Sequence, residues 1–249
     1  MITLIINADD FGLTQGVNDG IIKAHTDGIV NSTTLLVNMP GTKDAVRKMK
    51  DYPDLGVGIH LTLSCGSPVR SDVPSLVNEE GSFKLTKTYR EVDPKEINVS
   101  DVEKEWRAQL QTFLSFGIYP THIDSHHHIH GWDPLYPVIH KLSKEYSLSV
   151  RNVFQKTKPQ GIQLHTAIFR DDFYKNGTGL KYFHELQQEL STEEVVEVMV
   201  HPGFIDDDLR NISSFLERRE KELELLTAIQ LPKGMRLAER RNREKFCAT

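Results

Sequence analysis

Within Thr121-His122-Ile123-Asp124-Ser125-His126-His127-His128-Ile129-His130 the chain gathers five of its eleven histidines beside a carboxylate. Neutral imidazole offers a lone pair at physiological pH, so the first chemistry this tract suggests is metal binding. On an extended backbone successive side chains alternate between faces, which would set Asp124, His126, His128 and His130 on one side and Ser125 and His127 on the other. Two or three of these rings at most can then reach one ion, and the remaining ligands must come from elsewhere. Three apolar runs end in suitable groups. Ile5-Ile6-Asn7-Ala8-Asp9-Asp10-Phe11-Gly12 closes on paired carboxylates, Val57-Gly58-Ile59-His60-Leu61 on His60, and Val198-Met199-Val200-His201-Pro202-Gly203-Phe204 on His201 before a Pro-Gly turn. Each has an ordinary structural alternative: an Asp that caps a helix, a His hydrogen-bonded in a core, a solvated His-rich loop. Four separate strand ends that all offer Asp or His point instead to one shared site. An Asp with two His leaves coordination positions open for water and substrate, as a catalytic metal requires and a structural one does not. Adjacent carboxylates point in different directions, so one can bind a cation while the other remains a base.

The elements that must position these groups follow a βα rhythm. Short apolar runs at roughly 2–8, 32–38, 56–63, 121–127, 148–153, 164–169 and 195–201 read as strands, several followed by a turn and a helical pattern. Ligands in parallel α/β folds bind at the carboxyl ends of strands, where the polar groups above are found. A helix is predicted over 15–26, with Val17, Ile21, Ile22 and Ala24 on one side and Gly28 as its stop. Ser100-Asp101-Val102-Glu103 reads as a capping box that opens a helix with Val102, Trp106, Leu110, Phe113 and Leu114 on one face, ending at Gly117. Residues 214–228 carry Phe215, Leu216, Leu223 and Leu226 amid dense charge, as an outer amphipathic helix does. The stretch 64–98 is rich in Ser, Pro, Gly, Asp and Glu and breaks the alternation; directly after His60, it reads as a loop insertion on the substrate side. No internal repeat or clear linker interrupts the 249 residues, and a single domain is expected.

Composition narrows the function classes. A net charge of -5 gives no field that would attract nucleic acid or an anionic membrane, so a neutral or small substrate is expected. The mean hydropathy of -0.41 is that of a soluble globular protein. Met1 to Ile6 is too short an apolar run for a signal or membrane helix and reads as a core strand. Cys65 and Cys247 cannot build a disulfide framework, which suggests a cytoplasmic protein with free thiols.

Asn7-Ala8-Asp9-Asp10-Phe11-Gly12, Gly58-Ile59-His60-Leu61, Thr121 to His128 and His201-Pro202-Gly203 together resemble the YdjC-like carbohydrate deacetylases, in order along most of the chain. The resemblance implies a distorted (β/α) TIM-like barrel, a divalent metal, a homodimer, and hydrolysis of the N-acetyl group of small amino sugars or chitooligosaccharides. It implies Asp10, His60 and His126 as metal ligands, Asp9 as general base and His201 as general acid. Mg²⁺ is the first expectation for the ion on grounds of availability, while two imidazoles also suit Zn²⁺, Mn²⁺ or Co²⁺. Phe11, Trp132 and Phe204 flank these residues and are candidate sugar contacts, since aromatic faces suit the flat apolar sides of sugars. His122, His127, His128 and Asp124 then fall outside the ligand set, as residues that orient ligand rings or touch sugar hydroxyls. A metal-dependent phosphoesterase is the rival enzyme class, but it needs a basic or Gly-rich anion cradle that these segments lack. A non-catalytic sugar-binding protein that kept the metal site is the other alternative.

Overall fold

The computed structural model describes every residue except 92, 155–159, 174–178, 180, 241–242 and 245–249, so Cys247 lies outside the described residues. In chain order the first elements are β1 (Ile2–Phe11), α1 (Gln15–Thr26), β2 (Ser32–Leu35), α2 (Thr42–Asp51) and β3 (Gly56–Leu61). Then follow α3 (Thr86–Glu91), α4 (Val99–Ser115), β4 (Ile118–Tyr119), β5 (Ile123–Ser125) and α5 (Tyr136–Glu145). The last are β6 (Ile168–Arg170), α6 (Tyr182–Glu189), β7 (Val195–Val200), α7 (Asp207–Ile212), α8 (Glu217–Ala228), β8 (Met235–Leu237) and β9 (Arg243–Glu244). Contacts divide the chain into two compact units: Met1–Leu35 with Pro40–Val57 and Thr166–Asn242, and Leu36–Met39 with Gly58–His165 and Arg243–Thr249. Among the described residues no helix is long and apolar enough to cross a membrane.

The first unit is organised by β1. Nine of its ten residues are buried, because it is hydrogen-bonded in parallel to β2, β7 and β8. A strand with neighbours on both sides is buried on both faces, and Leu4, Ile5, Ile6 and Ala8 supply the apolar side chains this requires before the polar residues at its end. Pairing with β7 runs in register from Thr3 opposite Val195 to Ala8 opposite Val200. Asn31 fastens the entry to β2: its side chain accepts from Ile6 N at 2.8 Å and donates to Leu4 O at 3.2 Å. Thr14, extended, caps α1 by accepting from Val17 N at 3.3 Å. The α1 boundaries agree with the sequence pattern, but its C-cap is Asp27, and Gly28 has a different reason to be glycine. A Cβ there would lie 2.5 Å from Leu226 O on α8.

In the second unit β3 and β5 run parallel, with Ile59, His60 and Leu61 opposite Ile123, Asp124 and Ser125. The strand expected over 148–153 shrinks to single bridges, Ile123 with Val150 and Val150 with Leu164, and of the one expected over 164–169 only the end is regular, as β6 of the first unit. The buried face of α4, with Val102, Trp106, Leu110 and Phe113, is the one its periodicity marks. Its start differs from the expected capping box. Asn98 is the cap, accepting from Asp101 N at 3.2 Å, so the helix opens before Ser100. Gln109 on α4 closes two hydrogen bonds with the backbone of Thr62, at 3.0 and 2.9 Å, and so holds the chain just beyond β3. The 64–98 stretch is ordered by its own small core. Val73, Leu76, Phe83 and Tyr89 are buried, and Val77 pairs antiparallel with Phe83.

Candidate active site

In the first unit the carboxyl end of β1 is deliberately irregular. Its register against β2 shifts between Ala8 and Phe11, and Asp10 adopts a left-handed backbone with φ 70°. Asp tolerates that region better than most residues, and a bulge re-aims side chains that strict alternation would send to opposite faces. Both carboxylates are buried, Asp9 at 3% and Asp10 at 2% exposure. Asp9 accepts from Asn7 Nδ2 at 2.9 Å. Asp10 Oδ2 accepts from Arg219 Nη2 at 2.6 Å, a partner 209 residues away on α8. Arg219 is itself buried, donates from Nε to Phe215 O at 3.1 Å, and lies 5.5 Å from the centre of the Phe215 ring. His201 follows β7. Its backbone N–H donates to Glu222 Oε2 at 2.6 Å, and its ring stands edge-on to Phe215 at 5.4 Å. Burial pushes the Glu222 carboxyl up to about 7, with the Asp9 charge adding to the rise and the His201 N–H and Arg219 opposing it.

In the second unit His60 and Asp124 face each other across the β3–β5 register, with Nδ1 and Oδ1 2.6 Å apart. Arg151 Nη2 meets the other Asp124 oxygen at 2.9 Å, and both of these side chains are fully buried. The histidine tract does not keep the alternation of a strand. β5 stops at Ser125, a 3₁₀ stretch spans His126–Gly131, and His127 and His128 are left-handed, each with φ 56°. The run therefore distributes its rings by turning rather than by pleating. The His126 ring lies 5.7 Å from that of His60 at 77°, and His127 stacks obliquely on His126 at 4.0 Å. His127 Nδ1 meets Thr86 Oγ1 at 2.5 Å, which ties the tract to the 64–98 segment, as does the edge contact of Trp132 with Tyr89 at 6.3 Å. His130 is fully buried, between Ser125 Oγ at 2.6 Å and Arg151 O at 3.2 Å. His122 is buried too and stacks on His165 at 4.0 Å.

Within the second unit, buried His60 and half-buried His126 can each offer a ring nitrogen to one cation, and so can His60 and Asp124 with a nitrogen and a carboxylate oxygen, the ligand atoms of each pair lying within 4.8 Å of one another. In the first unit Asp9 and Asp10 end β1 as buried carboxylates. One carboxylate oxygen and two imidazole nitrogens form a donor set that fits a divalent ion and leaves part of its sphere open.

The sequence matches the family model of the YdjC-like proteins over residues 3–236. This chain belongs to the YdjC-like family. Curated relatives include a carbohydrate deacetylase of Halalkalibacterium halodurans, 47% identical over 235 residues, which are 94% of this chain and 99% of that protein. A carbohydrate deacetylase of Oceanobacillus iheyensis is 48% identical over 227 residues, 91% of this chain and 96% of that one. Among solved structures, a proposed cellobiose-phosphate cleavage protein from Enterococcus faecalis V583 superimposes with a TM-score of 0.83 at 34% identity, covering 92% of this chain and 96% of the other. A family 4 carbohydrate esterase from Streptomyces lividans, in complex with acetate, matches with a TM-score of 0.51 over 98% of both chains. At 10% identity that last likeness is one of α/β fold alone.

Within this YdjC-like chain the aromatic expectations divide. Phe11 is wholly buried, so its ring packs the core beneath the carboxylates and offers no face to a sugar. Phe204 is 40% exposed and Trp132 is half-buried, so both keep apolar surface that a ligand can reach. Arg151, Arg219 and Glu222 lie outside the motifs that mark the site. For the last two a signal existed. Phe215, Arg219, Glu222, Leu223 and Leu226 stand at i, i+4, i+7, i+8 and i+11, so two charges occupy the apolar stripe of α8 and needed buried partners. Arg151 gave no comparable signal, because its partner is set by a single bridge between distant segments.

Proposed function

We propose that this chain is a metal-dependent carbohydrate deacetylase that hydrolyses the N-acetyl group of small amino sugars or chitooligosaccharides and releases acetate, on the distorted (β/α) barrel that the family resemblance implies. The observation that carries the reading is that β1 ends in two buried carboxylates, Asp9 and Asp10, while in the second unit the rings of His60 and His126 come together at 5.7 Å, in a family whose curated relatives are named carbohydrate deacetylases. A divalent cation held by Asp10, His60 and His126, Mg²⁺ or a transition ion, would supply Lewis acidity that polarises the acetyl carbonyl and acidifies water. Asp9 takes the proton of the attacking water as general base. His201, protonated, donates to the sugar nitrogen as the C–N bond breaks. A positioned acid or base of this kind contributes about 10²–10⁴-fold in rate. Trp132 and Phe204 provide apolar faces for the sugar ring. A cytoplasmic homodimer goes with this reading.

The test is acetate release from N-acetylated di- and trisaccharides, with and without chelator. A phosphorylated disaccharide and simple phosphate esters belong in the same panel, because the Enterococcus relative is described as acting on a sugar phosphate. Chelator-sensitive acetate release supports the reading. Phosphate release without acetate would replace it with the phosphoesterase, and neither product with retained sugar binding would leave a binding protein.

A further inference from the structure

We infer that Asp124 and Arg151 are positioning residues that fix the tautomer of His60, so that the Nε2 lone pair is the one His60 offers to a cation. The inference rests on the metal reading above. Three neighbouring segments of the second unit carry it. His60 is opposite Asp124 in the parallel register of β3 and β5, and the bridge of Ile123 with Val150 brings Arg151 beside Asp124 in turn. Residues opposite each other in register leave a sheet on the same side, so the side chains form a ladder, His60 to Asp124 to Arg151. Backbone contacts hold the far end of the ladder: Arg151 N donates to Ile123 O at 2.9 Å, and Arg151 O accepts from His130 Nε2 at 3.2 Å. His130 thus belongs to the framework of the ladder rather than to an ion.

The donor and acceptor chemistry allows one arrangement. A carboxylate only accepts and a guanidinium only donates. With Asp124 Oδ1 2.6 Å from His60 Nδ1, the proton of a neutral ring sits on Nδ1 and the lone pair on Nε2. Asp124 Oδ2 takes Arg151 Nη2 at 2.9 Å, so the carboxylate is gripped from both sides and its orientation is transmitted to the ring. A buried ion pair by itself contributes little net stability, since the loss of hydration offsets the attraction. A carboxylate that orients a ligating histidine, in contrast, typically governs metal affinity by about 10–100-fold.

The test needs no activity measurement. In metal-free protein labelled with ¹⁵N-histidine, long-range ¹⁵N–¹H correlation, assigned against His60→Gln, should find His60 protonated on Nδ1. Zn²⁺ and Mn²⁺ titrated calorimetrically into Asp124→Asn should bind about 10–100-fold more weakly than to the wild type, with a smaller loss for Arg151→Lys. A merely structural pair would lower the melting temperature and leave both dissociation constants within twofold; that result overturns the inference. So does an Nε2-protonated His60 in the wild type with normal metal binding. If Asp124→Asn fails to fold, the wild-type tautomer and Arg151→Lys still decide. Absence of Zn²⁺ and Mn²⁺ binding to the wild type would overturn the metal reading itself, an outcome distinct from a wrong tautomer.

Discussion

Asp10 and Asp124 are both buried and both paired with a buried arginine, but they reach that state by opposite routes. Asp124 sits in a regular parallel register, and its partners are residues of adjacent segments. Asp10 sits where the register breaks, in a left-handed conformation, and its arginine comes from a helix 209 residues further on. A regular register sets a carboxylate alongside the side chains of the adjacent segments, on the same face of the sheet, which suits an orienting role. A broken one turns it out of the ladder. The irregular position carries strain of about 1–3 kcal/mol that the surrounding structure must over-determine, and such outliers cluster where function needs them. The difference teaches that burial and ion pairing look alike at the two positions, while backbone geometry sets them apart.

The largest effects should come from removing the proposed ligands at the two kinds of position. Asp10→Ala and His60→Ala should each lose the bound metal and several kcal/mol of transition-state stabilisation, about 10³-fold or more in kcat/KM. Metal content measured beside acetate release would check this, and a variant that stays active without metal would break the scheme. Next, Asp9→Asn should keep metal and shape while lowering kcat by about 10²–10⁴-fold. Full activity there would remove Asp9 as the base and with it the division of labour at the bulge. For stability rather than rate, Arg219→Met should cost about 3–5 kcal/mol in chelator, because it leaves the Asp10 charge buried without its guanidinium. The double variant Asp10→Asn with Arg219→Met should recover much of that loss in denaturant unfolding. Equal losses in the single and double variants would mean that the arginine acts through packing.

The smallest effect is a dependence on pH. Glu222 has its folded pKa raised from 4.5 to about 7, so between those values the folded chain keeps a proton that the unfolded chain has lost. Its contribution is therefore complete below pH 4.5 and is lost as pH rises through 7. Glu222→Gln imitates the protonated form and should flatten the fall in metal-free stability over that range, by up to about 3 kcal/mol at pH 8. Unfolding midpoints measured from pH 5 to 8 would show it, and parallel curves for the two proteins would contradict it.

Much of the scaffold was legible in the residues. Apolar runs that end in Asp or His before Gly or Pro marked β1, β3 and β7, and the apolar stripe marked α4. Where local cues competed, the outcome was less readable. Asn98 took the cap that Ser100 seemed to offer, and Ser213 Oγ, accepting from Phe215 N at 3.1 Å, kept Phe215 out of a helix that begins at Glu217. The histidine tract showed the limit most clearly. Its density named the chemistry, but the two left-handed residues that direct its rings depend on a turn that no periodicity announces.

The sequence by itself determined the βα order, the family and the residue types that can hold a cation, because side-chain chemistry and hydrophobic period are local properties. Only the tertiary structure decided that Asp124 faces His60 and Arg151, that Arg219 and Glu222 interrupt an apolar stripe to serve the ends of β1 and β7, and that Phe11 is core rather than contact. Those are matters of register, of a bulge and of burial, and each is set by the packing of segments far apart in the chain.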